Sequence, residues 1–189
     1  MKRVCVFAGS NPGTVPVYQE AAASLGEVLV REGLELVYGG SSIGLMGTIA
    51  DTVLAKGGVA IGVMPTGLFR GEVVHTGLTQ LYEVSNMHER KAKMGELSDA
   101  FIALPGGYGT FEEIFEFVSW GQLGIHRKPI GLLNVDGYYQ PLQAMIAKAV
   151  EGGFIPASHQ EILICERDPE ILLQKLRKYQ PPKREDKWA

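Results

Sequence analysis

The sequence predicts an α/β protein, a three-layer αβα fold in which helices cover both faces of a doubly wound, mainly parallel sheet. Three observations predict it. Short apolar runs alternate with amphipathic stretches almost from end to end, the pattern of strands joined by crossover helices. Glycines cluster in the turns that follow the strands, where folds of this class bind ligands. The composition, 46% hydrophobic and 21% charged over 189 residues, suits one domain with a sizeable core and argues against disorder.

The elements follow in order. Residues 4–8 form an apolar strand, and 15–32 a helix with Val17, Ala21, Leu25, Val28 and Leu29 on one face. Gly33 closes that helix as its C-cap. A second strand covers 34–38 and a second helix 44–56, with Met46, Ile49, Ala50 and Val53 inward. Gly57-Gly58 turns the chain into a strand at 59–63. Residues 65–79 hold a proline and three glycines without a sustained period, which reads as a long loop of the kind that often carries function. Then come a strand at 81–84, a helix at 87–97, a strand at 100–104, a helix at 110–120 and a strand at 129–133. A helix at 138–150, a short strand at 162–164 and a helix at 168–178 complete a single domain over 1–179. The proline-rich, charged tail 180–189 is expected to fray. Right-handed crossovers would make the whole a Rossmann-like fold.

Charge and cysteine usage narrow the function classes. Eighteen Lys and Arg against 21 Asp and Glu give a formal charge of −3, which argues against nucleic acid as a partner. Cys5 and Cys165 lie far apart, each in an apolar run, and read as two reduced, buried thiols of a cytoplasmic protein. The first apolar run is too short for a signal peptide, and no stretch is long enough to cross a membrane.

Three strand-to-helix turns carry the chemistry: Gly9-Ser10-Asn11-Pro12-Gly13, Gly39-Gly40-Ser41-Ser42-Ile43-Gly44 and Pro105-Gly106-Gly107-Tyr108-Gly109-Thr110. Glycine lets backbone N–H groups approach a ligand, and the helix start that follows favours an anion. The first turn lacks the dinucleotide fingerprint, and no G-K-[ST] occurs. One such turn could be mere geometry, with Thr110 helping to cap a helix. Three at one end of a sheet favour a phosphate-bearing small molecule.

Helix 87–97 opens with Asn86 and Glu89 in a capping-box-like pattern. Glu89, Lys93 and Glu96 mark its solvent face, with Glu89 and Lys93 spaced to pair. The opposite stripe holds Met87, Arg90, Lys91, Met94 and Leu97. A basic pair turned toward the core needs a carboxylate or a bound anion, unless the side chains snorkel, an alternative that stays open for Lys91. Glu112, Glu113 and Glu116 follow the third glycine turn. Acidic residues in a first helical turn are ordinary dipole partners. Beside an anion site and an arginine, however, a carboxylate suits cleavage at a ribose anomeric carbon, where it stabilises an oxocarbenium-like transition state or orients water. The four histidines are scattered and no metal-binding spacing is present. His88 reads as structural, and His75 sits in the long loop within possible reach of a ligand.

Met87-His88-Glu89-Arg90-Lys91 followed by Pro105-Gly106-Gly107-Tyr108-Gly109-Thr110-Phe111-Glu112-Glu113 resembles the signature pair of the Lonely Guy (LOG) family of cytokinin riboside 5′-monophosphate phosphoribohydrolases. Members of this family have also carried the label lysine decarboxylase. The resemblance extends over nearly the whole chain, including Val6 to Ser10 and Tyr38 to Gly47. It implies hydrolysis of AMP or an N6-prenylated AMP to free base and ribose 5-phosphate, with no cofactor. It implies Arg90 and Glu113 as the catalytic pair, and Gly106, Gly107, Tyr108, Gly109 and Thr110 as the phosphate site. Glu72, Lys91 and Glu112 would sit beside the substrate, and Gly9, Ser10 and Gly40 would complete the binding set. It further implies a homodimer. A nucleotide or cofactor carrier on the same fold is the alternative, since a carrier needs the glycine turn but not both charged partners.

Overall fold

The computed structural model describes residues 1–66 and 74–182. Among them, seven strands form one sheet in the order β4-β3-β2-β1-β5-β6-β7. These are β1 (Arg3–Phe7), β2 (Glu35–Tyr38), β3 (Ala60–Pro65), β4 (Gln80–Val84), β5 (Ala100–Ala103), β6 (Ile130–Leu133) and β7 (Leu163–Glu166). Every pairing is parallel. The chain builds outward from β1 to β4 and then returns to lay β5 against the other side of β1. That reversal places a topological switch point between β1 and β5, where a crevice opens beyond the carboxyl ends of the strands.

The period-two alternation of the strands divides the core into two layers. Val4, Val6 and Ala8 face one layer with Ala100, Ile102 and Leu104, while Cys5 and Phe7 face the other with Phe101 and Ala103. The first layer is closed by α1 (Val17–Arg31), α2 (Gly44–Ala55) and α6 (Pro169–Lys178). The second is closed by α3 (Met87–Leu97), α4 (Tyr108–Gln122) and a light contact from α5 (Gln140–Glu151). Phe7, Phe101 and Phe117 stack within it, the last two with ring centroids 4.0 Å apart.

Helix ends follow from local chemistry. Gly33 takes φ +67°, the left-handed conformation that terminates α1. Asn86 accepts from the Glu89 N–H at 2.9 Å, and the Glu89 carboxylate accepts from the Ser85 N–H at 3.0 Å, so a reciprocal cap fixes the start of α3. Glu89 is thereby occupied, and Lys93 pairs with Glu96 at 3.1 Å instead of with Glu89.

Other expectations also shift. Val17 is exposed at the first turn of α1, and Ala22 is buried on the helix face. Helix α4 starts at Tyr108, two residues before the sequence reading, because Gly107 serves as its N-cap. Glu112 and Glu113 therefore lie past the first turn, and Thr110 is not the cap. His88 is exposed, so it fills no core position. Cys5 is buried and Cys165 only partly so, and both are free thiols. The long loop was expected over 65–79. Pro65 ends β3, and 67–73 lies outside the described residues, as does 183–189 of the tail.

Candidate active site

At the switch point lies a cavity of about 450 Å³, a size suited to a small organic ligand. Three glycine turns meet there, and Gly9 ties them together. Its N–H donates to the Pro105 carbonyl at 3.1 Å, and its carbonyl accepts from the Leu45 N–H at 3.0 Å. A Cβ on Gly9 would stand 3.3 Å from the Gly106 Cα, so the turns approach as backbones do only at glycine. Gly106 is equally constrained, since a Cβ there would meet the Thr110 side chain and come within 2.9 Å of the Gly9 nitrogen.

These contacts assign different tasks to the helix starts. The first free N–H groups of α2 are taken by the Gly9 carbonyl. At α4 no side chain caps the helix at Gly107, so its first-turn N–H groups and its dipole are open to an anion.

Beside that helix start sits a buried ion pair. Arg90, from α3, donates through Nη1 to Glu113 Oε1 at 2.8 Å, and both side chains are only 10% exposed. Arg90 Nε donates to the Val63 carbonyl at 3.1 Å and Nη2 to the Gly39 carbonyl at 3.4 Å. The guanidinium thus bridges the turn after β2, strand β3 and helix α4. Gly39 makes room for it, because a Cβ there would collide with Nη2. Burial pushes the Glu113 carboxyl above its ordinary value, against the opposing pull of Arg90. A carboxylate in that state is a better base than one in water.

Lys91 points elsewhere. It is buried and forms an ion pair with Glu112, and a second with Glu116 at 2.6 Å. Burial works to lower its pKa, but the two carboxylates outweigh that and hold it above the usual lysine value. This clamp joins α3 to α4 and answers the snorkelling alternative: the ammonium is held by carboxylates.

The structure brings Gly9, Ser10, Arg90, Gly106, Gly107, Tyr108, Gly109, Thr110, Glu112 and Glu113 to the cavity wall. Gly40 and Lys91 lie off that wall. Gly40 takes φ +81° and its carbonyl accepts from the His75 N–H at 3.0 Å. Glu72 lies outside the described residues. His75 is held at 2.9 Å from Asp51, and its other ring nitrogen accepts from the Gly77 N–H.

Asn11 and Gly13 of the first glycine turn also line the cavity; sequence reasoning missed Tyr18 and Tyr138, and gave Leu45, Met46 and Met87 no place in the site. The apolar and aromatic surfaces of Tyr18, Leu45, Met46, Met87 and Tyr138 suit the flat faces of a nucleobase. Met87 was legible as part of the inward stripe of α3. Tyr138 required the sheet order, because it comes from the connection after β6.

Comparison with known proteins bears on this arrangement. A family model described as "Possible lysine decarboxylase" matches residues 46–176. The probable cytokinin riboside 5′-monophosphate phosphoribohydrolase LOGL9 of Oryza sativa subsp. japonica is 53% identical over 180 residues, covering 95% of this chain and 79% of the relative. The chain belongs to the LOG family. A LOG relative from Arabidopsis thaliana, the cytokinin riboside 5′-monophosphate phosphoribohydrolase LOG7, is 49% identical over 95% of this chain and 83% of its own. Among solved structures, the molybdenum cofactor carrier protein of Chlamydomonas reinhardtii superposes with a TM-score of 0.71 at 18% identity, covering 94% of this chain and 99% of that one. The molybdenum cofactor binding protein of Rippkaea orientalis gives 0.70 at 22% identity, covering 94% and 97%. At such identities the likeness of these two shows the fold alone.

Proposed function

We propose that this LOG-family chain hydrolyses the N-glycosidic bond of a purine nucleoside 5′-monophosphate, a cytokinin riboside monophosphate or AMP, giving free base and ribose 5-phosphate. One observation carries the reading: the buried Arg90–Glu113 pair stands in the same cavity as the uncapped start of α4. The helix start takes the 5′-phosphate and fixes the nucleotide, which places its ribose along the wall toward Glu113. Bond cleavage sends the C1′–N9 electron pair to the base. The Glu113 carboxylate stabilises the positive charge growing at C1′ and receives the proton of the water that forms the new C1′–O bond. That proton then passes to the base, and Arg90 holds the carboxylate in place throughout. The relatives at about half identity, phosphoribohydrolases by name, support the same reading.

Lysine decarboxylation fits these residues poorly. It requires a lysine to bind pyridoxal phosphate as a Schiff base, and such an amine works with a lowered pKa. Among the described residues no lysine lines the cavity, and Lys91 is held by two carboxylates that raise its pKa.

The test is incubation of the pure protein with AMP and with N6-isopentenyl-AMP, followed by chromatography for free base. Release from the monophosphate, but not from the nucleoside or triphosphate, is the expected result. The ratio of the two rates ranks salvage against cytokinin activation. Glu113→Gln should abolish turnover and leave nucleotide binding nearly intact. No base from either substrate, with the nucleotide still bound, would favour a carrier.

The proposal extends to a homodimer in the cytoplasm. Helix α5 buries no residue, and Met145, Phe154, Leu123 and Ile125 are each more than 60% exposed, an apolar surface that a second copy would cover. Light scattering on the eluted protein measures the mass. The free thiols are compatible with a reducing compartment.

A further inference from the structure

Two adjacent tyrosines between β6 and α5 take no part in the glycosidase chemistry, yet one reaches the third glycine turn and the other the chain just before it. Tyr138 donates its hydroxyl hydrogen to the Gly106 carbonyl, and Tyr139 donates to the Leu104 carbonyl at 2.7 Å. Their own placement is firm. The Asn134 side chain accepts from the Tyr139 N–H at 2.7 Å, and the Asn134 N–H donates to the Glu166 carbonyl of β7 at 2.7 Å. Asp136 and Gly137 both take positive φ, +48° and +75°, and the resulting sharp turn delivers the tyrosines to the neighbouring strand end. A non-glycine residue held in that region signals a conformation that the surrounding structure imposes. The Tyr138 ring also lines the cavity, packs edge-on against Tyr18 with centroids 6.1 Å apart and lies 6.4 Å from Phe111 of α4.

The peptide unit between Gly106 and Gly107 has glycine on both sides, so little steric resistance opposes its rotation. In a trans peptide the carbonyl and the N–H point in opposite directions. Holding the Gly106 carbonyl therefore also sets the direction of the Gly107 N–H, away from the Tyr138 hydroxyl.

We propose that Tyr138 is a positioning residue: by holding the Gly106 carbonyl it locks the Gly106–Gly107 peptide with the Gly107 N–H turned to the phosphate of the substrate. Tyr139 has a different task. It is fully buried and anchors the end of β5, and burial pushes its phenol up so that it remains a donor. The inference rests on the phosphate lying at the start of α4, as proposed above.

The experiment compares wild type, Tyr138→Phe and Tyr139→Phe by calorimetric titration with ribose 5-phosphate and with adenine, alongside AMP kinetics and thermal unfolding. Loss of one neutral hydrogen bond corresponds to about a tenfold change in an equilibrium. Tyr138→Phe should weaken ribose 5-phosphate binding about five- to tenfold, leave adenine binding unchanged, raise KM for AMP more than it lowers kcat, and lower the melting temperature no more than Tyr139→Phe does. Tyr139→Phe should lower the melting temperature without separating phosphate from base. Equal affinity of wild type and Tyr138→Phe for ribose 5-phosphate overturns the proposal. So does an equal loss for both ligands, or a Tyr138→Phe chain that no longer folds, since either makes the residue a structural prop. If wild type itself neither binds ribose 5-phosphate nor cleaves AMP, the phosphate reading fails and takes this inference with it.

Discussion

Gly39→Ala tests how closely the Arg90 guanidinium is confined. The Gly39 backbone is not left-handed, so alanine costs nothing in conformation and the only question is space. The new methyl would fall on Arg90 Nη2 and lie 3.0 Å from the Met46 sulfur. Arg90 is 8% exposed and held by Glu113 and Val63, so its head can yield only toward the cavity it lines. It must give up the Gly39 carbonyl and tilt away from Glu113 and Val63. Overpacking a core costs about 1–3 kcal/mol, and a distorted charge-assisted hydrogen bond a further 1.5–3 or so. Because the two overlap, a loss of about 3 kcal/mol in unfolding stability is expected. A shift of about 1 Å in a catalytic group costs on the order of a hundredfold in rate. Gly57→Ala supplies the control: Gly57 takes φ +76° with open space around it, so it should lose about 1 kcal/mol to backbone strain and keep full activity. Urea unfolding and base release from AMP measure both variants. If Gly39→Ala turns over at the wild-type rate and is no less stable than Gly57→Ala, the confinement argument is wrong.

Other expectations follow from the charges and caps. Glu113 is held above its unfolded pKa, so its contribution is complete below the unfolded value and is lost as pH rises through the folded one. The urea midpoint of Glu113→Gln should therefore lack that decline, and the acid limb of kcat/KM in wild type should fall above the usual carboxylate range. Asp99 has the opposite sign: burial pushes it up, but the N–H groups of Lys2 and Arg3, at 2.6 and 3.0 Å, outweigh this and hold it low. Its stabilisation is present above its unfolded pKa and disappears as pH falls through the lowered value, and Asp99→Asn should flatten that acid limb of the stability profile. Asn86→Ala removes the cap of α3 and should cost about 1 kcal/mol in urea unfolding. Cys5 is fully buried and its thiol is pushed well up, while burial first, and then Glu166, raises Cys165 to about 11. Iodoacetamide at pH 8 should leave both unmodified until denaturant is added, as mass spectrometry can read.

Much of the fold was legible because each strand is an apolar run and each helix carries a regular stripe. Arg90 was legible for the same reason: helical spacing put a guanidinium among Met87, Met94 and Leu97, and burial there demands a partner. Glu113 could be named as that partner only through the LOG motif, since no local pattern distinguishes it from Glu112. The start of α4 was misjudged because Tyr108 and Gly109 carry weak helix signals, and it is the missing side chain at Gly107 that sets the boundary. Lys93 was matched with Glu89 by spacing alone, whereas capping the helix end had already engaged that carboxylate. Tyr18 and Tyr138 were not legible at all. They meet across the cavity only once β6 stands beside β5, and sheet order is a long-range property that no window of sequence contains.

The junction at Gly9 also limits how this site can be re-engineered. One residue in the central strand-end turn serves as common ground for the other two glycine turns, so a graft into any of the three would shift the remaining pair. Attempts to alter the preferred base should leave that triangle intact. Substitutions at Tyr18, Met46 and Met87 reshape the wall by side chain alone, and they offer a route to new substrates that the backbone scaffold would tolerate.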